Sequence, residues 1–317
     1  MKRVFALLLA LLMLFSFAAC SGDEEGEDEE SGFDMTVSNN DLIWSPAENP
    51  NKDEIYYEYI NVDEIEIVGF AGSHIAHAVQ IPAEIDERKV TSIAADAFKG
   101  KTNITEIKLP DSVISIGDMA FYGCSSLTSI NIPTALQTIG DAAFADCILL
   151  GSVSLPESVT QLGFAAFYNC KSLATASLST AITELPDQIF MNCERLKTVT
   201  WSPAGTAIGE CAFMGCVALE SVNMPATLKT VGNYAFSGCV ALTAIQLPAT
   251  VESIGVSAFN GCTKLASVTF DATAGWKVCD DARKSAEAWI AVDVSVPATN
   301  ATLFQGTYNA FYWKHVA

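Results

Sequence analysis

The sequence predicts a mainly β repeat solenoid, and three sets of residues in one register carry this prediction. A phenylalanine occupies every twenty-third position over eight repeats: Phe98, Phe121, Phe144, Phe167, Phe190, Phe213, Phe236 and Phe259. Three positions after all but the first lies a cysteine, and we call this set the cysteine column: Cys124, Cys147, Cys170, Cys193, Cys216, Cys239 and Cys262. Six positions after each phenylalanine lies an aliphatic residue: Ile104, Leu127, Leu150, Leu173, Leu196, Leu219, Leu242 and Leu265. Such a period indicates stacked units, because one unit alone cannot hide its apolar face.

The first part of each repeat predicts a short strand. The repeats follow the phrases Leu-x-x-Ile-x-Leu-Pro, then Val-x-x-Ile-Gly, then x-x-Ala-Phe-x-x-Cys. In residues 127–133, Ile130 and Ile132 alternate with polar residues, as in a half-buried strand. Pro133 then ends the strand, because proline offers no N–H to a ladder.

The second part of each repeat predicts another extended piece and a turn. Residues 136–139 are extended and stop at Gly140, and Asp141 is expected to cap a short helical turn that carries Ala143 and Phe144 inward. With paired strands about 4.8 Å apart, eight repeats span roughly 40 Å. We expect the parallel strands of successive coils to form one long sheet.

Three departures from the pattern fall close together. Ser179 replaces the proline, Pro186 replaces the glycine, and Ala204-Gly205 replace an apolar residue. They predict a locally irregular stretch between residues 179 and 206 within the same fold.

The repeat resembles the leucine-rich repeat of BspA-like bacterial surface proteins, which carries the same Leu-x-x-Ile-x-Leu-Pro and Ile-Gly-x-x-Ala-Phe-x-x-Cys phrases. The resemblance covers the eight repeats, which make up somewhat over half of the chain. Residues 57–72, followed by Val79-Gln80-Ile81-Pro82, resemble the hairpin with which such solenoids begin. Residues 276–313 resemble their last segment. The resemblance implies attachment to host matrix proteins or to neighbouring cells.

The N-terminal segment, residues 1–32, predicts export and anchoring. Lys2 and Arg3 precede an apolar stretch, Val4 to Ala19, which is too short for a spanning helix and typical of a signal peptide. The small residues before Cys20 resemble the lipobox of bacterial lipoproteins, in which the cysteine is acylated. An ordinary cleaved signal with a leftover cysteine is the alternative. A run of acids at residues 23–30, interrupted only by Gly26, predicts a disordered tether rather than a calcium site.

The rest of the chain divides into a solenoid and two caps. We predict a signal peptide (1–19), an acidic tether (20–32), an N-terminal β cap (33–90), a solenoid of about eight repeats (91–270) and a C-terminal cap (271–317). Alternating apolar stretches at Ile55 to Ile60 and Ile65 to Val68 are expected to seal the first coil. Residues 280–290 predict a short helix. The C-terminal aromatic residues predict a lid, with a carbohydrate platform as the alternative: Trp276, Trp289, Phe304, Tyr308, Phe311, Tyr312 and Trp313.

The sequence contains ten cysteines, but the cysteine column predicts free thiols. Its members sit about one strand spacing apart and point the same way, which does not suit a disulfide. They are expected to act as small apolar fillers. Cys211 and Cys216 remain the pair least well excluded from bridging, and the column is a poor metal site because its members cannot turn toward one centre.

No motif predicts catalysis, a metal or a cofactor. His74-x-x-His77 has no glutamate base and no third ligand, so it predicts a loop, and His315 stands alone. No serine elbow, phosphate loop or cysteine–histidine pairing is visible. With 17 basic and 37 acidic side chains, the net charge of −20 excludes nucleic acids and disfavours docking on anionic lipids. The membrane is expected to be reached only through the lipid on Cys20.

The exposed side of the predicted strands carries a row of mostly small polar residues, which we call the polar column: Lys108, Asn131, Ser154, Ser177, Thr200, Asn223, Gln246 and Thr269. A broad face without a deep pocket suits an extended polymer better than a metabolite. We therefore predict a non-catalytic, surface-anchored adhesion module that binds an extracellular protein or polysaccharide of the host matrix or a neighbouring cell. A glycan- or nutrient-capturing lipoprotein and a structural spacer of the envelope are the alternatives.

Overall fold

The structure is a computed structural model that describes residues 55–71, 77–280 and 289–316. The predictions made for the signal peptide, for Cys20 and for the acidic tether lie outside the described residues. So do the first part of the N-terminal cap and His74.

Five strands precede the repeats. They are β1 (Ile55–Tyr59), β2 (Glu64–Phe70), β3 (His77–Gln80), β4 (Glu84–Ile85) and β5 (Arg88–Ile93). The predicted starting hairpin is confirmed, because β1 and β2 pair antiparallel. β2 then pairs with β5 in parallel, which joins the cap to the solenoid. The prediction of a loop at His77 is wrong, since this residue begins β3.

The two predicted strands of the repeats form two separate ladders, although residues 219–224 form no strand. Ladder A holds the strands of the Leu-x-x-Ile-x-Leu-Pro phrase: β6 (Ile104–Lys108), β8 (Ser129–Ile130), β10 (Ser152–Ser154), β12 (Thr175–Ser177), β14 (Thr198–Thr200), β17 (Ala244–Leu247) and β19 (Ser267–Phe270). Ladder B holds those of the Val-x-x-Ile-Gly phrase: β7 (Ser115–Ile116), β9 (Thr138–Ile139), β11 (Gln161–Leu162), β13 (Glu184–Leu185), β15 (Ala207–Ile208), β16 (Thr230–Val231) and β18 (Ser253–Ile254). At the N-terminal end, β3 joins ladder A by pairing with β6, and β5 joins ladder B by pairing with β7. Strands of neighbouring repeats pair in parallel at an offset of one repeat, as Thr175 of β12 does with Thr198 of β14.

The prediction of one long sheet is wrong, because both ladders are interrupted. Ladder B divides between β11 and β13. Gly163 N donates to Ile139 O at 2.8 Å and Gly209 N donates to Leu185 O at 2.9 Å, but Pro186, at the equivalent place between them, has no N–H to donate. This break falls at the start of the predicted irregular stretch.

Ladder A divides into β3-β6-β8, β10-β12-β14 and β17-β19. The first break lies between β8 and β10. Beside the paired strands β6 and β8, the Asn131 side chain bonds both polar groups of the Leu109 backbone, accepting from its N–H at 2.7 Å and donating to its carbonyl at 2.8 Å. This amide side chain links the two repeats one residue past the end of both strands. At the second break, the Trp201 indole donates to the Asn223 carbonyl at 3.1 Å.

The third side of each coil is made of turns rather than of the predicted helical turn. Asp141 does not cap a helix; its Oδ1 accepts a hydrogen bond at 2.9 Å from Phe164 N in the following repeat. Each turn contains two residues in the left-handed region, such as Ala142 and Asp146, which reverse the chain too sharply for a helix. Backbone bonds between coils join the turns, as from Phe144 N to Ala166 O at 2.8 Å.

The core is built from columns, as the period predicts. The eight phenylalanines are fully buried and stack on their neighbours with ring centroids 5.2–5.8 Å apart. The aliphatic column beside them is buried as well. At the N-terminal end the stack continues into Phe70, 5.6 Å from Phe98. At the other end Phe304 packs edge-on against Phe259 at 5.0 Å.

The C-terminal cap contains β20 (Trp276–Cys279), β21 (Ile290–Ala291), α1 (Pro297–Gln305) and β22 (Tyr312–His315). β22 pairs antiparallel with both β18 and β20, so it extends ladder B. The helix predicted for residues 280–290 is wrong at its end, since Ile290 lies in a strand, and residues 281–288 are outside the described part. The one helix of the described chain instead begins at Pro297, a residue well suited to a first helical turn.

Two side-chain amides of the cap donate hydrogen bonds to backbone carbonyls of the last repeat. Gln305 Nε2 donates to the carbonyls of Cys262 and Leu265, both at 2.8 Å. Asn300 Nδ2 donates to Val268 O at 2.8 Å from a fully buried position. Carbonyls at the open end of the last repeat are thereby paired, which is what an end cap must supply.

Candidate binding surfaces

All eight members of the polar column are exposed. Ladder A places them side by side, with Ser154 opposite Ser177, Ser177 opposite Thr200, and Gln246 opposite Thr269. A second outward row runs beside them and is exposed or half-buried: Glu106, Ser129, Ser152, Thr175, Thr198, Ser221, Ala244 and Ser267. The two rows offer hydroxyl and amide groups with little charge.

The polar column is not uniform. Asn131 is engaged with the Leu109 backbone, so it holds the chain as well as facing solvent. Thr200 Oγ1 donates to Ser177 Oγ at 3.1 Å, and Gln246 Nε2 donates to Asp271 Oδ1 at 3.0 Å. Sequence periodicity does not separate these structural roles from recognition, because all eight positions share one register.

Grooves lie on the described surface of both ladders, and one at the N-terminal end touches the polar column. It has a volume of about 430 Å³ and lies at the N-terminal end, where Lys108 and Lys89 line it together with Gln80 and Asp111. Lys108 Nζ is 3.8 Å from Glu106 Oε1, so its charge is partly balanced.

The larger groove has a volume of about 960 Å³ and lies on ladder B, away from the polar column. It extends over β13, β15, β16 and β18 and is closed at one end by the C-terminal cap. Sequence reasoning missed this groove. Its floor comes from strands that are each followed by a glycine or a proline, and its end wall comes from Trp289 and Tyr312, which lie near those strands only once the cap is folded.

The cysteine column is buried, and its thiols are free, as is that of the half-buried Cys211. Each column thiol donates to the phenylalanine carbonyl of the preceding repeat, as from Cys170 Sγ to Phe144 O at 3.2 Å. The sequence predicted fillers but did not reveal this bond. Burial raises the pKa of the Cys124 and Cys262 thiols to about 12 and that of the other five well above the ordinary value. The column is therefore protonated and inert at neutral pH.

The cap aromatics are mostly core. Trp276 and Trp313 are only 2% and 1% exposed, so they cannot serve as the carbohydrate platform considered from the sequence. His315 packs on the Trp276 ring at 5.3 Å between centroids, and its Nε2 lies 2.9 Å from Ala274 O. Both contacts lie within the C-terminal cap, so His315 has a structural role there.

Within the described residues, no cluster of three or more histidine, cysteine or acidic side chains is arranged to hold a metal ion. The same part of the chain contains no helix with the length and apolar character needed to span a membrane.

A stacked β-solenoid with an exposed polar face defines the class of protein: a repeat protein whose open surfaces suit binding. The family model of the BspA type leucine rich repeat region matches residues 91–216 and 183–276, which together cover more than half of the chain. The chain belongs to this family of BspA-type leucine-rich repeat proteins.

Three solved structures are similar to this chain. A leucine-rich repeat protein of T. pallidum shares 27% identity over 67% of this chain and 87% of that one, with a TM-score of 0.55. Another from Bacteroides ovatus shares 27% identity over 70% of both chains, with a TM-score of 0.51. A leucine rich cell surface protein from Faecalibacterium prausnitzii shares 25% identity over 82% of this chain and 63% of its own, less than two thirds, with a TM-score of 0.55. No curated protein sequence matches this chain.

The solenoid fold and the repeat family are typical of non-catalytic proteins and consistent with a protein-binding or adhesion module.

Proposed function

We propose that this protein is a non-catalytic adhesion module of a bacterial surface that binds an extracellular protein through the polar column. The observation that carries the proposal is the exposure of all eight column residues, which occupy the equivalent position of successive repeats. A flat row of hydroxyl and amide groups gives an extended partner many hydrogen bonds without a pocket. Partners from the host matrix or a neighbouring cell fit this surface.

Location at the cell surface belongs to the same proposal. The F. prausnitzii neighbour is described as a cell surface protein, and residues 1–20 carry the features of a lipoprotein signal. Acylation of Cys20 anchors the chain, and the acidic residues 23–30 hold the solenoid away from the membrane. Mass spectrometry of the native protein tests this: the proposal expects a lipid on Cys20, and an unmodified Cys20 overturns the anchor.

The binding surface is tested by screening the purified full chain against immobilised matrix proteins and polysaccharides. Ser177→Arg places a long charged side chain in the middle of the polar column, and Thr160→Arg places the same side chain at an exposed site just before β11 of ladder B. We expect a saturable protein ligand whose affinity falls by about tenfold or more for the first variant and by less than about twofold for the second.

Two results contradict the proposal. If both arginine variants lose the same affinity for the ligand, the loss comes from the added positive charge and not from the polar column. A polysaccharide ligand insensitive to Ser177→Arg, with no protein ligand, favours the glycan-capturing alternative on another face.

A further inference from the structure

The larger groove on ladder B has a low floor. Its outward side chains on β15, β16 and β18 are small: Ala207, Thr230 and Ser253. Beside them run Gly209, Gly232 and Gly255, where an added Cβ would lie only 2.4–2.6 Å from backbone atoms of the preceding repeat. Close packing of the coils therefore excludes larger side chains from this line, and the floor stays below the flanking residues.

The walls of the groove are aromatic at one end and acidic along the sides. Trp289 and Tyr312 of the C-terminal cap are half-buried and form the end wall. Four carboxylates that reach solvent line the remainder: Glu184, Asp187, Glu210 and Glu252. The charge of Glu252 is partly balanced by Lys229, whose Nζ is 3.9 Å from Glu252 Oε1. Lys314 is the one basic side chain among the lining residues, all of which are described. Cationic side chains are the complement of such a site, because aromatic faces and carboxylates both attract them.

We propose that this groove binds an extended segment of another extracellular protein that carries lysine or arginine side chains. A segment crossing β13, β15, β16 and β18 spans about 15 Å, or roughly five extended residues. Its charged ends reach the carboxylates while its aliphatic stems pack on Trp289 and Tyr312. Charge complementarity also speeds association with such a partner.

Other occupants fit the groove less well. A second copy of this chain is repelled, because each copy carries a net charge of −20. A neutral glycan can donate hydroxyl hydrogen bonds to the carboxylates but gains no attraction between opposite charges, whereas a cationic segment gains both. The inference does not rest on the proposed function, since the groove and the polar column lie on different ladders and can fail separately.

The test uses the full chain and a fluorescent peptide of about six alternating glycine and lysine residues, with a glutamate peptide as the negative probe. The groove variant is Glu184→Gln with Glu210→Gln. The matched control is Glu58→Gln with Glu220→Gln, which removes the same charge at exposed sites outside the groove. Fluorescence anisotropy measures each dissociation constant, and circular dichroism checks that every variant is folded.

We expect the groove variant to bind the lysine peptide about tenfold more weakly than the wild-type chain and the control variant to change by less than about twofold. Tyr312→Ala keeps every charge and is expected to weaken binding as well. Equal weakening in the two double variants overturns the inference, because binding then follows net charge alone. Absence of binding, or a neutral polysaccharide that displaces the peptide from the groove, also overturns it.

Discussion

The cysteine column and the polar column are built on the same repeat period, yet the cysteine column is buried and the polar column is exposed to solvent. All seven column cysteines are buried, and each thiol bonds the repeat before it, as Cys170 and Cys193 do. Members of the polar column bond one another only in places, as Thr200 does with Ser177. The inward register fixes the stack, while the outward register leaves side chains available for a partner.

The largest expected effect comes from ionising the inner column. Folding raises the pKa of these thiols above their ordinary value of 9.0, to about 12 for Cys124 and Cys262. The folded state therefore holds protons that the unfolded state releases above pH 9. The contribution of these thiols to the free energy of unfolding is fully present below pH 9 and is lost as the pH rises toward 12. Each buried thiol contributes about 1.4 kcal/mol per pH unit in this window.

Urea titrations between pH 8 and pH 11 measure this loss. A variant with Cys170→Ala and Cys193→Ala lacks two of the ionising groups, so its stability should fall less steeply with pH. An unchanged slope in that variant would show that the column does not govern alkaline unfolding.

Removing the ring of a core phenylalanine is expected to have the next largest effect on stability. Phe167 is fully buried and stacks on Phe144 at 5.4 Å and on Phe190 at 5.8 Å. Phe167→Ala leaves a cavity between two coils and should lower the free energy of unfolding by about 3–5 kcal/mol. Chemical denaturation followed by circular dichroism provides the measurement, and a loss below about 1 kcal/mol contradicts the stacked core.

The smallest expected effects compare a substitution at a close contact between coils with one on the exposed face. In Gly232→Ala the new Cβ meets Glu210 N at 2.6 Å, so the variant should lose about 1–3 kcal/mol. Ser177→Ala, on the polar column, should lose less than about 0.5 kcal/mol. Thermal and urea denaturation of both variants measure the losses. Equal losses would remove the distinction between inward and outward positions.

The period made much of the fold predictable from the sequence. Two strands per repeat, the buried phenylalanine stack and the starting hairpin follow from apolar spacing and turn residues. The strand breaks could be predicted only in part. Pro186 signals one through its missing N–H, whereas the bond from the Trp201 indole to the Asn223 carbonyl at another depends on coil-to-coil distances that no spacing reveals.

The turns and the groove lay beyond sequence reasoning for different reasons. Ala142 and Asp146 adopt left-handed backbone although neither is glycine, so residue type did not identify the turn. The large groove depends on the pairing of β22 with β18, which brings Tyr312 of the cap beside the last repeat and which no local pattern encodes.

Thiol titration tests the central claim, that one period builds a sealed inner column beneath an exposed face, most directly. The full chain is treated with a thiol reagent without reductant, first folded and then in denaturant. We predict that the seven column cysteines are unreactive in the folded protein and all react once it is unfolded. Reaction of the column thiols in the folded protein, or a shortage of reactive thiols after unfolding, would contradict the stacked and buried column.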